Sequence, residues 1–214
     1  REVVKSGQEA TLHIGMTPST VSMMSDYLIR FAEKYPQIHF DIHEGSTFTL
    51  KEQLENQQID LTTLRTPVVL NGCETRLLAR EKLMAMANLE CQTFQKCSSI
   101  TLSDLANQPL ILSHRYQKYM SSAFEQAGLV CDFYCICEDA RTALTMAEKG
   151  LGVAILPDSM LQFSDKMKGC SISDADLSTE ILLAWKKGRQ SDEVREFLKL
   201  WDDVTDKQEE LKIE

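Results

Sequence analysis

Two groups of small hydroxyl residues stand where an apolar run gives way to a helical pattern: Thr17, Ser19 and Thr20 in one, Ser46 and Thr47 in the other. A strand ending this way leaves the first N–H groups of the next helix unpaired, at the positive end of its dipole, which suits a small anion. Hydroxyls add hydrogen-bond donors without a fixed charge. The same residues also serve as ordinary helix caps, so both roles stand open. Arg65 follows a third apolar run, where a guanidinium either grips a carboxylate in bidentate fashion or sits solvated in a loop. Ser113, His114 and Arg115 mark a further strand-to-helix junction and are the contacts expected from the opposite wall of a cleft. Arg141, near the start of a later helix, reads as a surface or interface residue.

Other chemistries find less support. Cys131, Cys135 and Cys137 alternate along a run read as one strand and would share a face with Phe133. Thiolates bind zinc and copper(I), but buried cysteine usually acts as a small hydrophobe, and no C-x-x-C pair is present. His39 and His43 share a strand face at four-residue spacing, yet two ligands without a third make no closed site. No G-x-S-x-G, Walker, G-x-G-x-x-G or H-E-x-x-H pattern occurs. The expectation is a binding domain with no catalytic residue, no metal and no cofactor.

The elements that must position these residues follow from periodicity. LHIGM reads as a strand, and Val21, Met24, Leu28, Phe31 and Tyr35 form one apolar helical stripe. Thr17 is the expected N-cap, with Pro18 at the first helical position and Pro36 ending the helix. Ile38, Phe40 and Ile42 alternate as a strand; Leu50 and Leu54 mark a helix with Thr49 and Glu52 as a capping box; Ile59, Leu61 and Leu64 give a third strand. This order implies a mainly parallel sheet with right-handed crossovers.

Past Gly72 the pattern predicts strands over 77–81 and 83–87, a polar loop over 88–99 and a short helix over 103–107. It continues with a strand over 110–113 and a helix bearing Tyr116, Met120, Ala123, Phe124 and Ala127, stopped by Gly128. A strand over 132–137, a helix capped by Asp139 and ending at Gly150, and a strand over 153–156 complete a second set. A strand over 181–185 and an apolar-striped helix over 191–204 (Val194, Phe197, Leu198, Trp201, Val204) come last, with a frayed polar tail beyond Thr205. The reading is two lobes, 1–82 with 187–214 and 83–186, the final helix docking on the first. The chain crosses between them near 81–86 and 184–188, a hinge that lets lobes close on a ligand.

The chain has 214 residues, 43% hydrophobic and 26% charged, with 23 Lys plus Arg against 32 Asp plus Glu, for a net charge of −9. That balance argues against nucleic-acid binding by these residues alone, since Lys166–Lys168 and Lys186–Arg189 are short basic clusters. No run approaches the ~20 apolar residues of a membrane span, and the first residues do not read as a secretory signal. Seven cysteines, an odd number without disulfide spacing, favour a reducing cytoplasm.

Five segments taken together resemble the effector-binding domain of LysR-type transcriptional regulators: LHIG at 12–15, FAEKYPQIHFDIHEGST at 31–47, LENQQIDLTTL at 54–64, LSDLANQPLI at 102–111 and MAEKGLGVAILP at 146–157. The resemblance implies an α/β fold of two Rossmann-like lobes joined by two crossover strands, as in type 2 periplasmic binding proteins. It implies a small-molecule effector, a carboxylate or other anion, held between the lobes at Thr17, Ser19, Thr20, Ser46 and Thr47. It also implies a winged helix-turn-helix upstream, joined by a long helix of which Arg1–Gly7 would be a remnant, with DNA bound only through that part. Such domains pair with themselves, giving dimers and tetramers. The alternatives are a solute-binding protein of a transport system and an enzyme on the same scaffold.

Overall fold

A computed structural model describes residues 9–210, with side chains as far as Asp203. The first half contains β1 (Ala10–Met16), α1 (Val21–Lys34), β2 (Ile38–Glu44), α2 (Thr47–Glu55), β3 (Leu61–Arg65) and the long β4 (Cys73–Asn88). Then come α3 (Gln92–Gln95), β5 (Ser99–Ile100), α4 (Leu102–Ala106), β6 (Leu110–Ser113), α5 (His114–Gln126), β7 (Cys135–Cys137), α6 (Ala140–Glu148) and β8 (Val153–Pro157). β9 (Met167–Ile172), β10 (Ser178–Lys186) and α7 (Asp192–Glu210) close the chain.

The first sheet runs β2-β1-β3-β10-β4. β1 is parallel to β2 and β3, while β10 is antiparallel to both β3 and β4. Alternation along β1 sends Leu12, Ile14 and Met16 into a core with Met24, Leu28 and Phe31 of α1 and Val194, Phe197 and Leu198 of α7. Tyr27 stacks edge-on against Phe197 at 4.8 Å, and its hydroxyl donates to the Phe197 carbonyl at 2.6 Å. The final helix therefore docks on the first sheet, as its stripe requires; Val204 and the tail from Leu211 lie outside the described side chains and residues. On the opposite face α2 buries Leu50 and Leu54 against Ile59 and Leu64.

β4 then leaves the first sheet and enters the second, where its end pairs antiparallel with β8 and β9. β8, β6 and β7 continue in parallel, and β5 pairs with β9. One face packs on α5 through Tyr116, Met120 and Phe124, the other on α6 through Ala143, Leu144 and Ala147.

Several expectations need correction. The strands over 77–81 and 83–87 are one continuous strand, because its two halves find partners in two different sheets. The second crossing falls just before Ser178, not near 184–188, since β10 pairs within the first sheet along its whole length. The strand over 132–137 shrinks to β7, and β9 was not foreseen. The loop over 88–99 contains α3. The last helix continues to Glu210. Thr17 makes no side-chain cap, because a 3₁₀ turn over Pro18–Thr20 precedes α1. Ser46, not Thr49, caps α2, accepting from the Thr49 N–H at 3.2 Å. No described helix is long and apolar enough to cross a membrane.

Candidate functional site

Where β1 and β3 end, hydroxyls knit the first wall of a crevice. Thr20 Oγ1 and Thr63 Oγ1 lie 2.6 Å apart, Thr17 Oγ1 donates to Thr20 Oγ1 at 3.1 Å, and the Thr17 N–H donates to Thr63 Oγ1 at 3.2 Å. All three threonines are buried, so this network fixes the 3₁₀ turn to β3. Thr63 was not anticipated; alternation along IDLTTL gave it no distinction from a core position.

Arg65, last residue of β3, is wholly buried, which corrects the solvated-loop reading. Its Nε donates to Ser19 Oγ at 2.7 Å, and one terminal nitrogen pairs with Glu81 Oε2 at 2.8 Å. The same carboxylate oxygen accepts from Ser159 at 3.0 Å. Glu81 on β4 thus joins the first sheet to a 3₁₀ turn (Asp158–Phe163) beside the second. Neither Glu81 nor Ser159 stood out in the sequence: each sits amid polar residues of unremarkable spacing.

Thr47, the first residue of α2, is the meeting point of the two walls. Its fully buried hydroxyl accepts from the Arg65 backbone N–H at 3.3 Å and from the Arg115 guanidinium, which reaches across from α5. Arg115 also lies over the Tyr116 ring, 4.7 Å from its centroid, and donates to the Tyr116 hydroxyl at 3.3 Å. Ser113 is buried at the start of α5 without using its hydroxyl as a cap. Ser46 is occupied as the α2 cap. His114 is half-exposed and faces Glu138 at 3.6 Å, apart from this group. A second bridge crosses between the walls where Arg141 of α6 pairs with Glu44 of β2.

Electrostatically the crevice is short of acceptors. Arg65 Nη1, Arg115 Nε and Ser113 Oγ are all out of solvent and lack hydrogen-bond partners among the described residues. Leaving such groups unpaired costs about 1–3 kcal/mol each. Glu81 balances the Arg65 charge, but no carboxylate among the described residues forms an ion pair with Arg115. A groove of about 240 Å³ between Pro18 and the α6 residues Arg141, Leu144 and Thr145 opens nearby. Other grooves, such as one of about 430 Å³ between α5 and residues 174–177, lie on the second sheet away from these groups.

The cysteines do not form the expected common face. Cys131 and Phe133 pack toward the α5 core, whereas Cys135 and Cys137 pack toward α6. Burial pushes the Cys137 thiol up to about 11, and burial with a hydrogen bond to Cys97 pushes Cys170 to about 12. Both thiols stay protonated at neutral pH, which disfavours metal capture or nucleophilic use.

Residues 5–205 match the family described as the LysR substrate binding domain. An uncharacterized HTH-type transcriptional regulator of Bacillus subtilis, YvbU, is 32% identical over 69% of this chain and 50% of its own length. The Escherichia coli regulator YnfL is 26% identical over 92% of this chain and 69% of its own. This chain thus spans about half to two thirds of the curated relatives' length. Among solved structures, the effector binding domain of QuiR in complex with shikimate superposes with a TM-score of 0.79 at 20% identity, covering 90% of this chain and 95% of that one. The BenM effector binding domain with its effector benzoate gives 0.73 at 18% identity, covering 94% of each. The fold is therefore that of type 2 periplasmic-binding-like α/β domains.

Proposed function

Because this chain belongs to the LysR substrate-binding-domain family, we propose that it is the effector-sensing part of a LysR-type transcriptional regulator, taking a small carboxylate between its two lobes. The observation that carries this reading is the set of partnerless buried donors, Arg65 Nη1, Arg115 Nε and Ser113 Oγ, on the residues that flank Thr47. An anion is the ligand that satisfies donors and offsets the Arg115 charge together. We assign the contacts to Ser19, Thr47, Ser113 and Arg115, with Arg65 orienting Ser19 and Thr47. Thr17 and Thr20, tied to Thr63, and Ser46, occupied as the α2 cap, then serve as the scaffold behind these contacts, and His114 stays at the rim. QuiR and BenM are seen with shikimate and benzoate, both carboxylic acids, which supports the class and not the identity of the effector.

In the free domain Arg115 rests on Thr47 and holds the walls together. An effector that takes over the Arg115 donors changes how β4 and the segment before β10 set one lobe against the other. Only a ligand with different affinity for the two arrangements shifts their populations. The lobe motion would reach DNA through a helix-turn-helix segment in the longer, cytoplasmic protein, assembled as a dimer or tetramer. The named relatives are regulators, so the transport-protein alternative is set aside.

The test is a thermal-shift screen of carboxylic acids, amino acids, sugar phosphates and neutral sugars, followed by calorimetry on Arg115→Gln. At a hundredfold over its dissociation constant a true effector adds about 2.7 kcal/mol of stability. Arg115→Gln should weaken a carboxylate at least tenfold. A neutral sugar that binds wild type and variant equally would overturn the anion reading.

A further inference from the structure

We propose that His13, Asp41 and His43 form a site for a divalent transition metal of the zinc class on the outer strands of the first sheet. Spacing along β2 alone misses it, because the third ligand lies on β1. In the parallel register His13 faces Asp41 directly, and His43 follows two residues on along the same face of β2. The Asp41 Oδ2 atom stands between the two rings, 3.0 Å from His13 Nδ1 and 3.4 Å from His43 Nε2. All three ligand atoms lie within 4.8 Å of one another. Ligands ~2.1 Å from a tetrahedral zinc ion stand ~3.4 Å apart, so the cluster needs only small adjustments to close on one.

Two further observations separate this cluster from a chance grouping of surface charges. His43 Nε2 is out of solvent yet makes no hydrogen bond among the described residues, so its approach to Asp41 leaves the nitrogen unsatisfied. Its neighbour across the cluster is held in place from behind: the His13 N–H donates to Asp60 Oδ2 at 2.8 Å, and its carbonyl accepts from the Asp60 N–H at 2.8 Å. Two imidazoles and one carboxylate suit zinc, nickel or cobalt better than magnesium or calcium, which prefer all-oxygen sites. Asp41 is 53% and His13 41% exposed, leaving a fourth position open to water.

The site is tested by titrating zinc chloride into the reduced protein by calorimetry, and cobalt chloride while recording the visible spectrum. Wild type and the control His39→Gln, which alters an exposed neighbour, should each bind one equivalent that the His13→Gln/His43→Gln double variant loses. Asp41→Asn should weaken binding at least tenfold while keeping its melting profile, which guards against a variant that merely misfolds. The cobalt adduct should lack thiolate charge-transfer absorption. Zinc binding unchanged in the double variant and in Asp41→Asn, thiolate absorption, or no binding by wild type would each overturn the proposal.

Discussion

Thr47 takes hydrogen bonds from both sides of the cleft, and the two arginines that reach it are in opposite electrostatic situations. Arg65 is buried but paired, its charge balanced by Glu81 at 2.8 Å. Glu81→Gln should then cost about 3 kcal/mol by leaving a buried guanidinium uncompensated, read as a lowered urea midpoint. An unchanged midpoint would mean that Arg65 finds another acceptor. Arg115 has hydroxyl and ring partners but no carboxylate among the described residues, so its loss should affect ligand affinity far more than folding. The hydroxyls flagged in the sequence gather at the ends of β1 and β3 and the start of α2, but their division of labour was not legible. Whether a serine or threonine caps, braces or stays free depends on neighbours such as Thr63, which lies 43 positions from Thr20. Local spacing carries no information on such a pair.

At the scale of elements, α7 shows how an apolar stripe specifies docking. Phe197 is fully buried and touches Tyr27, Phe31 and Trp201 through its ring. Phe197→Ala should cost about 3–5 kcal/mol and shift tryptophan fluorescence to the red as the helix loosens. A fluorescence spectrum identical to wild type would contradict that packing. In the second sheet, a Cβ on Gly152 would stand 2.1 Å from the Pro109 carbonyl oxygen, the same oxygen that accepts the Val153 N–H. Gly152→Ala must push β8 from its neighbour and should cost about 1–3 kcal/mol, measured by thermal melting. Element types were legible from periodicity, and the ends of α5 and β6 with them, because Gly128 and the apolar run over 110–113 are local signals. β9 escaped because Met167–Ile172 mixes lysine, glycine and serine with few apolar residues, and only pairing with β4 makes it a strand.

For the molecule as a whole, two thiols in the second sheet and a tyrosine at the end of α1 tie stability to alkaline pH. Burial raises Cys137 from 9.0 to about 11 and Cys170 from 9.0 to about 12, and burial with the Glu196 hydrogen bond raises Tyr35 from 10.0 to about 12. Each keeps its proton longer folded than unfolded, so its contribution is complete below about pH 9 and disappears as pH rises through the folded values. Urea midpoints should therefore fall between pH 9 and 11; a flat profile there would show that these groups stay accessible. The sequence by itself determined the α/β class and the strand-to-helix junctions, because both are written in local order and periodicity, and it pointed to the family through the resemblance of five segments. Only the tertiary structure decided that Glu81 neutralises Arg65, that Arg115 spans the gap to Thr47, and that His13 joins His43. Those relations depend on which strands become neighbours, and the chain separates these partners by 16 positions in the nearest case and 68 in the farthest, beyond the reach of any local pattern.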